Sequence, residues 1–309
     1  MTFAKDVTMA HEGGIASITV AVIGTGAIGQ DLIGKIHRSP LLHCGLVAGR
    51  TPDSAGLRYA ADLGYPTTAG GIKAILAAPR PFDVVFDATN ALSHAEHWRL
   101  LQALDTLVID LTPSRVGQMV VPTVTGAQAP TVRNISLISC GGQASIPVAH
   151  ALAGRFTVLY IEVVSTVASN IAGRATRLNL DEYVATTQQA ITAFTGVPDT
   201  KAILNISPAA PPAAFRTTVH AIVPGATTEA VRSVLDEAAE QVRSFAPGYQ
   251  VVACAVHGDR VLVSLEVTAD SDVLPRYAGN LDIIDAAAIS VAERHAARLT
   301  LAARTEVGG

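Results

Sequence analysis

Cysteine is scarce in this chain, and the few cysteines present form no pattern. Cys44, Cys140 and Cys254 are spread over 309 residues with no C-x-x-C spacing between them. Zinc sites and disulfide frameworks need cysteines at short or regular spacings, so the sequence offers neither. We therefore expect no metal site, and the scarcity fits a protein of the reducing cytoplasm.

Long apolar runs and clusters of positive charge are also missing. Glu162 and Asp285 interrupt the most apolar stretches, so none reaches the roughly 20 residues that a membrane-spanning helix needs. Residues 1–14 lack the apolar core of a secretory signal and are expected to form a loose N-terminal extension. The net charge is −4, with Lys and Arg scattered along the chain. This distribution argues against a membrane surface or a nucleic acid as a partner.

One glycine-rich turn stands where a dinucleotide site would begin. The β-branched run of residues 17–23 is followed by a G-x-G-x-x-G motif and then by a helical pattern to about Arg38. In that context the first glycine permits the tight turn and the second lets a pyrophosphate approach the helix N-terminus. The alternative is a purely structural turn. The candidate cofactor-binding residues are Gly24, Thr25, Gly26, Ala27, Ile28 and Gly29.

The residue that follows the second predicted strand bears on the choice of coenzyme. NAD-preferring enzymes commonly place a carboxylate there to bind the ribose 2′-hydroxyl. Here the strand of about residues 43–48 leads to Gly49-Arg50-Thr51, with no acid. Arg50 is a candidate partner for the 2′-phosphate of NADP, or equally a solvated arginine beside adenine, so NAD and NADP both stay open.

Further strand and helix units predict a doubly wound parallel sheet. The runs at 82–87 and 107–110 are continuously apolar, as central parallel strands are, and each ends in a polar turn. Such carboxyl-end turns border the ligand crevice, so we expect both to line the nicotinamide. For Asp87 and Thr89, capping of the next helix is the commoner role.

Cys140 lies where an apolar strand passes through two glycines into a helix, over residues 135–147. A thiol reacts as its thiolate, and the N–H groups at a helix N-terminus would lower its pKa and stabilise an oxyanion. This arrangement is typical of a nucleophile. The alternative is a small buried apolar residue, which is the usual fate of a lone cysteine.

The order of predicted elements changes at about Cys140. Beyond it lie a long strand at 157–168, a hairpin at 251–256 and 260–268, and a final helix at about 281–303, all of which favour an antiparallel sheet covered by helices. The length and the hydrophobic content of 49% are enough for two domains. We predict a dinucleotide-binding domain at 15–140, a catalytic and dimerisation domain at 141–279, and a C-terminal helix at 280–309 that packs back on the first domain.

Together these motifs resemble one family, the acetylating (CoA-acylating) acetaldehyde dehydrogenases, which are partners of 4-hydroxy-2-oxovalerate aldolase. The resemblance covers nearly the whole chain and is most specific at Cys140-Gly-Gly-Gln143 and Gly279-Asn-Leu-Asp282. It implies a Rossmann domain joined to an α+β catalytic and dimerisation domain of the semialdehyde-dehydrogenase type. It further implies a homodimer, NAD or NADP as cofactor, and CoA as co-substrate.

The resemblance also implies roles for individual residues. Cys140 would carry the acyl thioester, Thr25 to Ile28 would meet the dinucleotide, and Asn280 would contact its nicotinamide end. A second cofactor segment would comprise Ser169, Asn170, Ile171, Ala172, Gly173, Arg174, Ala175, Thr176 and Arg177.

Three departures mark a divergent member. The segment 172–177 loses a proline and a glycine of the family pattern and gains a charge, which changes the expected loop. Thr217 stands where the family has an aspartate thought to help activate the cysteine or the hemithioacetal, and a threonine accepts no proton at neutral pH. The segment between Tyr249 and Val261 is shorter than usual. We take Thr217 as a candidate catalytic residue through its hydroxyl.

The predicted function is an acylating aldehyde dehydrogenase that interconverts an aldehyde plus CoA and an acyl-CoA through a Cys140 thioester, on acetyl or a larger acyl group. One alternative is a phosphate-dependent semialdehyde dehydrogenase, which would need a cationic acyl-phosphate site beside Cys140. The other is a catalytically silent dinucleotide-binding partner of an aldolase.

Overall fold

The computed structural model describes residues 16–125 and 132–307. The predicted N-terminal extension at 1–14 lies outside these residues. The first half of the chain forms a seven-stranded sheet in the order β3-β2-β1-β4-β5-β7-β6, and every strand pair in it is parallel. Its elements are β1 Ile18–Ile23, α1 Ala27–Arg38, β2 Leu42–Ala48, α2 Ala55–Asp62, β3 Thr67–Thr68, α3 Ile72–Leu76, β4 Val84–Asp87, α4 Ala91–Leu101, β5 Leu107–Asp110, β6 Gln118–Met119, α5 Pro122–Thr125 and β7 Asn134–Ser136.

The sheet is covered by helices on both faces, as β1 shows. Val20 and Val22 belong to the core that includes Leu32 of α1, whereas Ala21 and Ile23 belong to the core that includes Leu101 of α4. Successive side chains of a strand point to opposite faces, so alternate residues of β1 anchor helices on opposite sides. The predicted doubly wound α/β sheet is confirmed. Its strand order reverses between β1 and β4, where ligands bind in such sheets.

The second half of the chain forms a five-stranded mixed sheet in the order β11-β12-β10-β8-β9. The prediction of an antiparallel sheet is wrong for one pair, because β8 and β9 run parallel. The chain between them forms α7 and α8 and re-enters the sheet in the same direction, as a parallel crossover requires. The elements are α6 Cys140–Arg155, β8 Tyr160–Ala168, α7 Arg174–Leu178, α8 Leu180–Thr195, β9 Thr200–Ser207, β10 Phe215–Ile222, α9 Thr228–Arg243, β11 Tyr249–His257, β12 Arg260–Val267 and α10 Gly279–Val307.

One face of this second sheet packs on helices. In β10 the side chains of Phe215, Thr217 and Val219 are buried, while Arg216 is exposed and His220 is half-buried. This alternation agrees with an extended strand that places Thr217 and His220 on opposite faces.

The last helix, α10, returns to the first sheet. Ile284, Ala287 and Val291 are part of the core that contains Val20 and Leu32. Both halves of the chain therefore share a buried boundary, although the domain limits drawn from the sequence stay a prediction. Within the residues that the structure describes, no helix has the length and apolar character to span a bilayer.

Two glycines of the motif after β1 differ in the space around them. A Cβ on Gly29 would lie 2.1 Å from the carbonyl oxygen of Gly24, whereas a Cβ on Gly26 would meet no atom of the described residues within 4 Å. We expect Gly29→Ala to lower the free energy of unfolding by about 1 to 3 kcal/mol, because a rigid backbone carbonyl must move. Gly26→Ala is the matched control and should be nearly neutral. Urea unfolding of both variants measures the difference, and equal losses would contradict this account of the turn.

Candidate active site

Cys140 is the first residue of α6, so the two glycines predicted to precede the helix lie inside it. Ser139 caps the helix, because its hydroxyl accepts the Gly142 N–H at 2.9 Å. This cap draws both glycines into the first helical turn. The residue before the cap, Ile138, has a φ of 69°, which is unusual for a β-branched side chain. The strained step turns the chain from β7 into α6 and leaves the Cys140 side chain at the helix start.

Three hydroxyl groups extend in sequence away from the thiol. The Tyr183 Oη atom, on α8, is 3.8 Å from Cys140 Sγ and accepts the Gly141 N–H at 3.1 Å. The Ser165 hydroxyl of β8 lies with Tyr183 Oη beside Gly141 and lowers the pKa of the phenol. Ser165 Oγ in turn lies 3.1 Å from Thr217 Oγ1. The side chains form a chain of hydroxyls that begins at the thiol and ends at β10.

Thr217 does not reach the thiol directly. Its side chain is 1% exposed and does not line the cavity that holds Cys140. Its hydroxyl contacts Ser165, so the catalytic role predicted for Thr217 would have to act through Ser165 and Tyr183. Tyr183 was not singled out from the sequence.

Burial raises the pKa of the Cys140 thiol to about 11. The Tyr183 hydroxyl and the N–H groups of Gly141 and Cys140 act in the opposite direction and lower that pKa. The expectation of a lowered thiol pKa is therefore wrong for the ligand-free site, because desolvation of the thiolate outweighs these donors. The first-turn N–H groups are also partly occupied, since those of Gly141 and Gly142 bond to Tyr183 and Ser139.

A cavity opens in front of the thiol. Two buried polar atoms in its wall, Asn280 Oδ1 and Thr112 Oγ1, have no hydrogen-bond partner among the described residues. Unpaired buried polar groups are costly, so such atoms fit a polar ligand. The lining residues are Ile28, Ala88, Thr89, Leu111, Thr112, Pro113, Ser139, Cys140, Val167, Thr176, Asn179, Tyr183, Leu204, Asn280, Leu281 and Ile284.

A second cleft continues from the first along the carboxyl ends of β1, β2 and β4. Ala88 and Thr89 line both, so one extended ligand can occupy the two together. Gly24, Thr25, Gly26 and Arg50 line this second cleft, whereas Ile28 lines the first. Ala27 and Gly29 line neither.

Most of the predicted second cofactor segment lies away from both cavities. Thr176 lines the cavity at the thiol, but Ser169, Asn170, Ile171, Ala172, Gly173 and Arg177 line neither. The Arg177 guanidinium instead donates to the carbonyl oxygens of Ala172 and Ser169, which closes the turn before α7. The next two residues, Leu178 and Asn179, do line the cavities and were missed in the sequence.

Buried charged side chains hold in place two turns that form part of the wall of the cavity at Cys140. His94 Nδ1 is 2.9 Å from Asp87 Oδ2 and 3.6 Å from Asp110 Oδ1, and His97 Nδ1 is 2.8 Å from Asp87 Oδ2. Burial opposes the charge on Asp87, but its hydrogen bonds with His94 and His97 hold its pKa at about 2. Burial raises the pKa of Asp110 to about 6. Asp110 also accepts the Thr112 N–H at 2.7 Å, which fixes that turn.

The helix that follows β4 is not capped by Asp87 or Thr89, the two residues expected to cap it. The side chain of Asn90 accepts the Ser93 N–H at 3.1 Å and caps α4. Asp87 instead accepts from the N–H and the hydroxyl of Thr89. Both expected turns line the cavity at the thiol, through Thr89 and Thr112.

The fold is that of a two-domain semialdehyde dehydrogenase. A solved structure of aspartate semialdehyde dehydrogenase II from Vibrio cholerae superposes with a TM-score of 0.60 at 15% identity, over 90% of this chain and 97% of that one. At this identity the likeness shows the fold alone.

The sequence relatives define the family. An acetaldehyde dehydrogenase of Streptomyces griseus is 66% identical over 99% of both chains. Another, of Pectobacterium atrosepticum, is 46% identical over 89% of this chain and 95% of the relative. A family model described as "Prokaryotic acetaldehyde dehydrogenase, dimerisation" matches residues 140–275. The chain belongs to the acetaldehyde dehydrogenase family, which confirms the resemblance of the motifs, and the protein is an aldehyde dehydrogenase with a nicotinamide cofactor.

The raised thiol pKa predicts how Cys140 reacts with an alkylating reagent. Since only the thiolate reacts, the alkylation rate of the ligand-free protein should rise by about tenfold per unit between about pH 7 and 9, without a plateau. Iodoacetamide labelling followed by peptide mass spectrometry measures the rate at Cys140 separately from those at Cys44 and Cys254. A plateau below about pH 8 would show that the helix N-terminus outweighs burial.

Proposed function

We propose that this protein interconverts an aldehyde plus CoA and an acyl-CoA, through an acyl thioester on Cys140. One observation carries the proposal: the Cys140 side chain lines a cavity that continues into the cleft at the switch point of the parallel sheet. The thiol therefore stands where a nucleophile would meet the reactive end of a bound dinucleotide. The names of the relatives favour acetaldehyde and acetyl-CoA as substrates.

The residues present fit the coenzyme. The open space over Gly26, at the N-terminus of α1, leaves room for a pyrophosphate. Arg50 lines the second cleft, where the adenosine would lie, and Asn280, whose Oδ1 has no partner among the described residues, lines the cavity at the thiol, where it fits the amide of a nicotinamide. When bound, the coenzyme supplies or accepts the hydride at the acyl carbon.

Cys140 performs the covalent steps. In the oxidative direction its thiolate adds to the aldehyde carbon, and the carbonyl electron pair moves to oxygen as a hemithioacetal forms. After oxidation, the CoA thiolate attacks the thioester carbon, the bond to Cys140 Sγ breaks, and the thiolate is released. Acyl-CoA reduction is the reverse sequence.

The phosphate-dependent alternative has less support. An acyl phosphate is anionic and needs cationic partners, but no Lys or Arg is among the described residues that line the cavity at Cys140. The dimerisation model that matches residues 140–275 supports a homodimer. An aldolase partner, a cytoplasmic location and the silent-partner alternative stay predictions from the sequence.

An acyl adduct on Cys140 tests the proposed function. Mass spectrometry of the protein incubated with acetyl-CoA should show one acetyl group on Cys140, and Cys140→Ser should lose it together with all but about a hundredth of the turnover. Cys254→Ser is the matched control, because Cys254 is half-buried on β11 away from the cavity. An adduct that survives in Cys140→Ser, or none in the wild type, would refute the thioester route.

Arg50 tests the choice of coenzyme. If its guanidinium binds a 2′-phosphate, Arg50→Asp should weaken NADPH binding by about tenfold or more and leave NADH binding equal or stronger, because a charged hydrogen bond is replaced by repulsion. Arg58→Asp on α2 makes the same charge change at a residue that does not line the cleft. Fluorescence titration with both coenzymes gives the affinities. An unchanged NADPH to NADH ratio in Arg50→Asp would mean that Arg50 is only a solvated side chain.

A further inference from the structure

We propose that Tyr183 is a catalytic residue whose hydroxyl donates a hydrogen bond first to the Cys140 thiolate and then to the oxyanion on the carbon bonded to Sγ. The first half of this proposal concerns the free enzyme alone. The second half rests on the proposed function. No proton leaves Tyr183 in either step, because the phenol acts as a fixed donor.

The contacts around the Tyr183 hydroxyl indicate which atom it donates its proton to in a hydrogen bond. Tyr183 Oη already accepts the Gly141 N–H at 3.1 Å, and the Ser165 hydroxyl beside it lowers the pKa of the phenol, as a donor to that oxygen does. The nearest reactive atom is Cys140 Sγ, at 3.8 Å. Once the thiol has ionised, the sulfur is the strongest acceptor near this hydroxyl, since hydrogen bonds to charged groups are about twice as strong as neutral ones.

The start of α6 is shaped to admit this hydroxyl. A Cβ on Gly141 would lie 2.2 Å from Tyr183 Oη and 2.4 Å from Ser165 Oγ. Any other residue at 141 would displace both. The glycine after the cysteine therefore brings the Tyr183–Ser165 pair to the thiol, in addition to any room that it leaves for a substrate.

Tyr183 is the side-chain donor for which the structure gives a contact with Cys140 Sγ. Among the described lining residues, Cys140 and Tyr183 are the ones that titrate, and no Asp, Glu, His, Lys or Arg is present. The Gly142 N–H bonds to Ser139. Thr217 reaches the site only through Ser165. Tyr183 is thus the side chain with both the reach and the proton for this role.

Tyr183 is suited to be a donor and not a base. Burial raises its pKa well above the ordinary value of 10, so the phenol keeps its proton at neutral pH. Because it is neutral, it stabilises a thiolate without the repulsion that a carboxylate in the same place would exert. The Ser165 hydroxyl, which lies 3.1 Å from Thr217 Oγ1, stands beside the phenol and helps to fix its orientation.

The test removes the hydroxyl and keeps the ring. In Tyr183→Phe without coenzyme, losing one donor should raise the thiol pKa by about one unit, and since a more basic thiolate is also more nucleophilic, iodoacetamide labelling of Cys140 at fixed pH should slow by about threefold. In the acetyl-CoA reduction assay, kcat should fall by about a hundredfold with KM little changed, as for the loss of one oxyanion donor.

Tyr249→Phe is the matched control. Tyr249 is also fully buried, and its hydroxyl donates to the Ala144 carbonyl at 2.7 Å. Ala144 belongs to α6, the helix that begins at Cys140, but Tyr249 does not line the cavity. This variant should alter stability alone and leave the labelling rate and kcat near those of the wild type. A structural role for Tyr183 predicts the same pattern in Tyr183→Phe, with a lower melting temperature and unchanged labelling, and that result overturns the proposal.

Two further outcomes are decisive. Slower labelling of Tyr183→Phe in a protein that shows no acyl transfer would support the thiolate half and refute the proposed function. If Tyr183→Phe does not fold, 3-fluorotyrosine placed at 183 keeps the ring and the hydroxyl and is a stronger hydrogen-bond donor. Labelling of Cys140 should then be faster than in the wild type, and an unchanged rate overturns the proposal.

Discussion

The cap that Ser139 places on α6 is the interaction on which the site depends. The Ser139 hydroxyl holds the Gly142 N–H, so the helix starts at Cys140 and the thiol sits between the parallel sheet and the mixed sheet. A second hydroxyl bond ties the same side chain to Thr187 of α8, at 2.6 Å. One serine thereby fixes both the start of α6 and the helix that carries Tyr183. A shift of that start would move the thiol away from both the cavity and its hydroxyl neighbour.

The parallel sheet contributes rigidity to the other wall of the cavity. Asp87 and Asp110 end adjacent strands, and their carboxylates would repel each other if His94 did not lie between them. A buried charge is tolerated only when it is paired. Removal of one member of this cluster would therefore leave another buried charge without its partner. Its carboxylates also bind the turns that carry Thr89 and Thr112 into the cavity wall. The buried charged side chains thus hold in place the neutral side chains that line the cavity.

Sequence patterns predicted the parts of the protein whose structure depends on residues close together in the chain. The strand, glycine turn and helix at 18–38 follow from periodicity and from the few residues that fit such a turn, and the alternation in β10 follows from the pleat of a strand. Tyr183 lies 43 residues from Cys140, and only the packing of α8 against α6 brings the two together. The sign of the thiol pKa shift was wrong for the same reason. The helix N-terminus is visible in the sequence, but the burial that opposes it arises from both halves of the chain.

The Cys140 side chain is half-buried, and desolvation of its thiolate is opposed by neutral donors beside it. Burial makes the thiolate costly, but it also keeps water away from a thioester that water would hydrolyse. A carboxylate beside such a thiol would raise its pKa further, because two negative charges in an apolar cavity repel strongly. Hydroxyls avoid that cost. With threonine at 217 and a phenol within 3.8 Å of Sγ, the negative charge that develops during the reaction meets only dipoles. The absence of an acid at 217 thus leaves the hydroxyls of Ser165 and Tyr183 without a negative charge behind them.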